Sequence, residues 1–332
     1  MEKCCSQKTT EPITLDTIYT AADRLRDIMI RFGINRNNYL ITPGLYKIGK
    51  PDMHSQVLVT SNYKLTINRL KQELSCLNVW IIVLDTKGVN VWCAAGKGTF
   101  GTDELVRKIE STGIKNRVVH NNIIVPQLGA VGINKYAIKK ITGLTVHYGP
   151  VRAKDIKDYI NNNYTKTDKQ RQITFKLTER LPLTPIEFFI SLKYLLIFFV
   201  LSMILHFIRN KGVNGTIIYE LLPILAAYTG GTILFPIVLP YLPGRSFALK
   251  GGILGLIISI AVILTIKPAL IIAIAIILTL TPLVSFLSLN FTGSTTFTSL
   301  AGVKKEMRIG LPIQLISVIS GITLYVIGYL VN

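Results

Sequence analysis

Cysteine is scarce in this chain. Only Cys4, Cys5, Cys76 and Cys93 are present, and no two are spaced as a CxxC pair or a metal finger. An iron–sulfur cluster takes about four cysteine ligands, so the chain holds none alone and any electrons it uses come from a partner. Histidine is equally rare. His54, His120, His147 and His206 are too scattered to share a metal and read as structural. Acid is short as well: 18 aspartates and glutamates face 37 lysines and arginines, a formal charge of +19. Such an excess suits nucleic acid or an anionic membrane leaflet. The opening MEKCCSQKTTEPITL has no apolar run of the kind a secretory signal needs. The first half is therefore expected in the reducing cytoplasm, with its thiols unlinked. Cys4-Cys5 can catch soft metal ions or simply sit in a disordered tail, and Cys76 reads as a core residue on a helix beside a buried strand.

Nucleotide motifs are also lacking. Gly96-Lys97-Gly98-Thr99-Phe100-Gly101 spells GxGxxG, but the preceding strand stops about ten residues too early for the dinucleotide fingerprint. The next strand ends in His120-Asn121, with no acid to hold a ribose. A P-loop fails too, because Gly98 stands where Ser or Thr should follow Gly96-Lys97. Asp52-Met53-His54 begins like the DxHxxG of many cobalamin enzymes, yet Val57 replaces its glycine.

Charge thins out from Pro185 onward, where nine basic and three acidic residues remain. Five apolar stretches occupy this half: Ile186 to Ile208, Ile217 to Leu239, Phe247 to Ile266, Ala269 to Leu289 and Ile309 to Leu330. Each is near the roughly 20 residues that cross a bilayer as a helix. Lys267-Pro268 must form a very tight hairpin between the third and fourth. Placing Arg245, Lys250, Lys304, Lys305 and Arg308 inside, against Arg209, Lys211 and Lys267 outside, satisfies the positive-inside rule. The basic excess is thus assigned to the lipid bilayer and no nucleic-acid partner is expected. Glu220 and Lys193 lie near span ends and no charge pair stands out within the spans, so no transport pathway is read here.

The first half alternates strand and helix patterns. QVLVT (56–60), VWIIVLD (79–85), RVVH (117–120), NIIVP (122–126) and LTVHY (144–148) read as strands. Helical patterns cover 63–74, 103–111, 134–141 and 152–161, and LDTIYTAADRLRDIMIRFGI is an amphipathic helix ahead of them. Repeated βα units with nearly all-apolar strands imply a doubly wound, Rossmann-like α/β domain with a mainly parallel sheet. The expected organisation is a tail and amphipathic helix (1–40), the α/β domain (41–161), a basic linker (162–184) and an all-α five-span transmembrane domain (185–332) in the cell membrane, with the N-terminal domain cytoplasmic.

The segment NVWCAAGK (90–97) lies just beyond a turn, Asp85 to Gly88, at the carboxyl end of a strand, where α/β sheets place ligands. If it is helical, Asn90, Cys93 and Gly96/Lys97 share a face. Ala94, Ala95 and Gly96 carry little bulk, which would let a large flat object lie close, while Trp92 could anchor the segment to the domain. One thiolate cannot close a zinc or iron–sulfur site, but it can supply one axial position to a metal already held by a macrocycle. The residues alone equally allow a small buried cysteine at a tight helix–sheet contact.

NVWCAAGK, continued by GKGTFGTDELV, resembles the cap-helix motif of the corrinoid protein family of the bacterial and archaeal mercury-methylating pair. PGRSFALKG (243–251) and NFTGSTTFTSLAGVKKEM (290–307) resemble loops of the same family. Residues 41 to 161 are also similar to the cobalamin-binding domain of the corrinoid iron–sulfur protein large subunit, at VLVTSNYKLT and VPQLGAVGINKYAIKKITG. The resemblance implies a cobalamin or related corrinoid whose cobalt takes the Cys93 thiolate as lower axial ligand. By analogy Thr60, Ser61 and Asn62, the segment Asn90, Val91, Trp92, Cys93, Ala94, Ala95, Gly96 and Lys97, and Gln127, Leu128, Gly129 and Ala130 would contact the cofactor. Asn90 could hydrogen-bond near the sulfur. Lys97 could lower the thiol pKa or meet a corrin amide, or be an ordinary solvated lysine. The implied activity is a methyltransferase passing a methyl group from cobalt to Hg(II). The implied partners are a ferredoxin-like 4Fe–4S electron donor and a methyl donor from a folate-linked one-carbon pathway. A membrane-anchored corrinoid carrier serving another acceptor, and a transporter or scaffold with a degenerate α/β domain, are the alternatives.

Overall fold

The computed structural model describes residues 11–291 and 300–331; Cys4, Cys5 and residues 292–299 of the 290–307 loop lie outside them. The chain divides into two units, residues 34–174 with the N-terminal residues to Ile30, and residues from 175 onward with 31–33. The first is an α/β domain and the second is helical.

In chain order the α/β unit holds β1 (Ile13–Thr14), α1 (Ala21–Arg31), β2 (Gly44–Ile48), β3 (Val57–Ser61), α2 (Lys64–Glu73) and β4 (Val79–Leu84). It continues with α3 (Val91–Lys97), α4 (Thr102–Thr112), β5 (Asn122–Val125), α5 (Lys135–Thr142), β6 (Thr145–Tyr148) and α6 (Ile156–Asn161). The strands form one sheet in the order β1-β2-β4-β3-β5-β6. β4, β3, β5 and β6 are parallel neighbours, and β2 joins β4 antiparallel.

Strand residues alternate between two buried layers. Val57, Val59, Ile82, Leu84, Ile123 and Val125 face one layer together with α3, α4 and α5. Leu58, Ile81, Val83 and Ile124 face the other with α2. A sheet covered on both faces explains the near-continuous apolar runs. The chain leaves β3 for β4 on one side and then returns past β3 to β5 on the other. The strand order therefore reverses between β3 and β5, where open α/β sheets bind ligands.

α1 packs on this unit through a buried carboxylate. Asp27 accepts hydrogen bonds from Tyr19 Oη and Tyr39 Oη, both at 2.8 Å, and from Asn68 Nδ2 at 2.9 Å. Three donors are what a carboxylate withdrawn from water requires.

Some sequence expectations change. RVVH (117–120) is not a strand: Val119 is largely exposed, and its amide bonds Met53 O at 3.0 Å instead of a ladder. β2 escaped the sequence reading because Gly44 and Lys47 interrupt its apolar pattern. The helix expected at 152–161 opens as a 3-10 turn, Ala153–Asp155, before α6. Cys76 is exposed, beyond the end of α2, and is not a core residue.

The helical unit begins after two short turns, α7 (Asp168–Arg171) in the linker and α8 (Leu177–Arg180). It comprises α9 (Thr184–Asn210), α10 (Ile217–Thr229), α11 (Phe235–Val238), α12 (Phe247–Ile266), α13 (Leu270–Asn290) and α14 (Leu300–Val331). α10 and α11 are joined by a π-helical turn, Gly230–Leu234, so among the described residues five helices are long and apolar enough to cross a membrane. Lys267, in the left-handed region at φ 52°, caps α12 and permits the short turn into α13. Fully buried His206 on α9 meets Glu220 on α10, with Nδ1 3.1 Å from Oε1.

Phe100 fills the space between α3, α4 and the 127–132 loop; side chains added at Gly129 or Gly132 would collide with it. Phe100→Ala is expected to cost about 3–5 kcal/mol. Chemical denaturation followed by tryptophan fluorescence checks this, because both tryptophans, Trp80 and Trp92, belong to the α/β unit.

Candidate functional site

The carboxyl ends of β3 and β4 are tied by one side chain. Asn62, immediately after β3, is buried, and its Oδ1 accepts from Thr86 N (3.2 Å), Thr86 Oγ1 (2.8 Å) and Gly88 N (3.0 Å). Its own backbone N–H donates to Leu84 O at 3.1 Å. Glu104 Oε1 accepts from Asp85 N at 2.9 Å, so the 85–88 turn is held from both sides. Thr86 Oγ1 also lies 2.6 Å from Val89 O, so its one proton is shared between Asn62 Oδ1 and Val89 O, which directs the chain into α3.

Asn90 caps α3 by accepting from Cys93 N at 2.9 Å; asparagine is among the best N-cap residues because its oxygen satisfies an orphan amide. Gly98 ends the helix at φ +83°, a conformation that favours glycine. Gly96, Gly98 and Gly101 thus shape the junction of α3 and α4 and do not follow a strand as a dinucleotide motif would.

Helical periodicity splits α3 as expected. Val91, Ala94 and Ala95 are buried in the sheet-side layer, Cys93 is half-buried, and Gly96 and Lys97 are exposed. The two alanines are small because the helix packs down on its own domain: Ala95 Cα would lie 3.3 Å from a Cβ at Gly132. The face left outward carries Cys93, Gly96 and Lys97.

Burial pushes the Cys93 thiol above its ordinary pKa, while the charges of Lys97 and Arg36 and a hydrogen bond with Asn90 pull it back. The sulfur is therefore protonated at neutral pH, with a cationic and hydrogen-bonded setting ready to stabilise the thiolate once a metal takes it.

Beside α3, at the β3/β5 reversal, lies a cavity of about 210 Å³. Leu58, Val59 and Thr60 of β3, Ile124 and Pro126 at the end of β5, and Gly149 to Val151 after β6 form its walls, with Asn90, Val91 and Trp92 at one side. Of the fifteen residues anticipated from sequence, Thr60, Asn90, Val91, Trp92 and Leu128 line it. Ser61 and Asn62 lie buried at the same strand end, and Asn62 is committed to the turn. Gln127 takes the Lys166 ammonium on its Oε1, Gly129 is packed on Phe100, and Ala130 closes a turn by donating to Gln127 O at 3.1 Å. The Gly149-Pro150-Val151 wall and Lys166 were missed, although a Gly-Pro pair directly after a strand is a readable turn signal.

Two hydroxyls at this strand end, Thr60 Oγ1 and Ser61 Oγ, are buried with no hydrogen-bond partner. Each such group costs about 1–3 kcal/mol, and Thr60 faces the cavity. Among the described residues no three histidines, cysteines or acids gather as a metal site. His120 Nε2 sits 3.0 Å from Ser55 O and His147 Nε2 3.0 Å from Asn122 Oδ1, both structural contacts.

A family model described as CO dehydrogenase/acetyl-CoA synthase delta subunit matches residues 35–160. Curated relatives carry the name acetyl-CoA decarbonylase/synthase complex subunit gamma. The protein from Methanocaldococcus jannaschii is 34% identical over 137 residues, covering 41% of this chain and 28% of that one. Those from Methanopyrus kandleri and Archaeoglobus fulgidus are 31% and 30% identical over 122 and 142 residues, covering 36% and 41% of this chain and 26% and 30% of theirs. The chain thus spans little more than a quarter of the length of these relatives, and the family model's match lies in the α/β unit.

These matches overturn the mercury-methylating expectation, in family, activity and partners alike. They name subunits of an acetyl-CoA decarbonylase/synthase complex, in place of a protein acting on Hg(II) with a ferredoxin-like donor and a folate-linked methyl source. The physical reason is that NVWCAAGK encodes a local shape: an asparagine cap, a buried alanine pair, a half-buried cysteine and a glycine stop. None of these features specifies the acceptor of a transferred group.

Asn90→Ala is expected to destabilise α3 by about 1 kcal/mol and to raise the Cys93 pKa further. Alkylation of Cys93, followed by peptide mass spectrometry across pH, should need higher pH in Asn90→Ala than in the wild type. Equal Cys93 profiles in the wild type and Asn90→Ala would contradict the assigned environment.

Proposed function

We propose that the α/β unit is a corrinoid-binding domain and that the chain is a membrane-tethered methyl carrier, working with other subunits of an acetyl-CoA decarbonylase/synthase type of assembly. The observation that carries this reading is the strand-end cavity with its unpartnered Thr60 hydroxyl beside the cysteine-bearing α3. The likeness to subunits of that complex supports the choice of assembly.

The residues fit a corrinoid in two parts. A cavity of about 210 Å³ falls below the roughly 300–1,000 Å³ that enclose a drug-sized ligand. It can take a base-sized tail and leaves the macrocycle outside. Thr60 offers that tail a hydroxyl, and Leu58, Val59, Ile124 and Leu128 offer apolar walls. Cys93 is the residue for the cobalt, because it alone combines a soft ligand with the outward face of α3. When bound, the cofactor supplies a metal centre that takes up and releases a methyl group, chemistry that belongs to the cofactor. The protein holds Cys93 in place through the Asn90 cap, and Lys97 and Arg36 partly offset the burial that keeps the thiol protonated. The five long apolar helices would keep this unit at a cytoplasmic membrane surface.

Titration of the full chain in detergent with cobalamin, followed by visible absorption, tests the reading. Saturable binding is expected, and Cys93→Ala should still bind but with a displaced cobalt spectrum. Absence of binding by the wild type would overturn it. Thr60→Val should weaken binding about tenfold while raising the stability of the ligand-free protein by about 1 kcal/mol, since it deletes an unsatisfied hydroxyl.

A further inference from the structure

The linker leaving the α/β unit does not simply hang from α6. Asn163 and Tyr164 both take positive φ, 49° and 60°, and turn the chain back along the edge strand β6. Tyr164 stacks on His147 of β6 with ring centroids 4.4 Å apart, and its hydroxyl donates to Gln56 Oε1 at 2.6 Å. Farther on, Val151 N donates to Gln170 O at 2.9 Å and Arg152 Nη2 to Thr174 Oγ1 at 3.1 Å. Between these attachments Lys166 points its ammonium at the cavity rim. It donates to Gln127 Oε1, to Tyr148 O, and to Gly149 O at 3.1 Å. Gly149 lines the cavity, and Gln127 sits between the lining residues Pro126 and Leu128.

All three acceptors are neutral. The charge that bears on Lys166 is a second cation, Arg171, and burial together with that charge pulls its pKa below the ordinary lysine value. Fastening the strap does not rest on Lys166 alone, because Tyr164, Val151 and Arg152 also hold it. A cation partly withdrawn from water without a counter-ion is costly. Its position makes sense if the missing counter-ion arrives with the ligand.

We propose that Lys166, carried by the linker, is the cation that binds a phosphate group on the tail of the molecule occupying the strand-end cavity. This rests on the corrinoid reading and deepens it: the ligand is a corrinoid with a phosphodiester-linked nucleotide tail, and the tail phosphate exchanges for a neutral acceptor at Lys166. The linker toward the helical unit thereby becomes part of the ligand site.

Two corrinoid probes separate the possibilities, cobalamin, which carries the phosphodiester, and cobinamide, which lacks the tail and its phosphate. Affinities are read by absorption titration of the full chain in detergent. The wild type should bind cobalamin at least about tenfold more tightly than cobinamide, a difference of about 1.4 kcal/mol. Lys166→Gln should remove most of that preference, weakening cobalamin about tenfold and leaving cobinamide within about twofold. Lys166→Arg should keep most of the preference because it keeps the charge. Unaltered tryptophan fluorescence shows that each variant is folded. Equal weakening of both probes in Lys166→Gln would overturn the proposal in favour of a purely structural latch. Equal wild-type affinities, unchanged in Lys166→Gln, would overturn it while leaving the corrinoid reading intact. Failure of the wild type to bind either probe would overturn both.

Discussion

The side-chain oxygen of Asn62 accepts three hydrogen bonds from a single tight turn, and the candidate site is built outward from that point. The turn at 85–88 comes straight off β4 and leads through Val89 into α3. Without a fixed turn, the seven-residue α3 would have only its cap and two alanines to set its direction. Short helices are marginal by themselves, so α3 is ordered by what holds its ends. Asn62 and Glu104 fix the approach, Asn90 caps the start, and Gly98 closes the finish.

This framework separates two jobs that meet at the carboxyl ends of the strands. The β3/β5 reversal creates the cavity, a consequence of strand order and not of any particular side chain. α3 presents a thiol beside that cavity, a consequence of helical periodicity once Ala94 and Ala95 have been drawn into the core. Thr60 lines that space and Lys166 bonds to Gly149 in its wall, one a buried hydroxyl lacking a partner and the other a cation with only neutral acceptors. Both are imbalances that a polar, phosphate-bearing ligand would correct together.

Much of this was legible in the sequence because it depends on periodicity. Strands β3 to β6 showed as apolar runs, the five long helices as stretches of bilayer length, and the two faces of α3 from residues three and four apart. What stayed hidden depends on contacts between distant residues. β2 is recognised only through its pairing with β4, since Gly44 and Lys47 break its pattern. RVVH has strand-like residues but finds no neighbouring strand. The buried His206–Glu220 pair unites residues on two separate helices. The site residues divide in the same way: Asn90 and Cys93 were marked by local spacing, whereas the strap that carries Lys166 to Gln127 joins positions 39 apart. The eight-residue cysteine motif was overread in one respect, since a short segment fixes a shape and leaves the reaction partner open.

The family model matches residues 35–160, within the α/β unit, and this chain covers little more than a quarter of the length of the relatives. The strand-end crevice lies in this matched region, and its integrity rests on the Asn62 clamp. Amide hydrogen exchange, read by mass spectrometry on the wild type and on Asn62→Ala, tests that claim most directly. The account predicts faster exchange confined to residues 86–97, with β3, β4 and β5 keeping their protection. Uniform loss of protection across the sheet, or no change at 86–97, would contradict it.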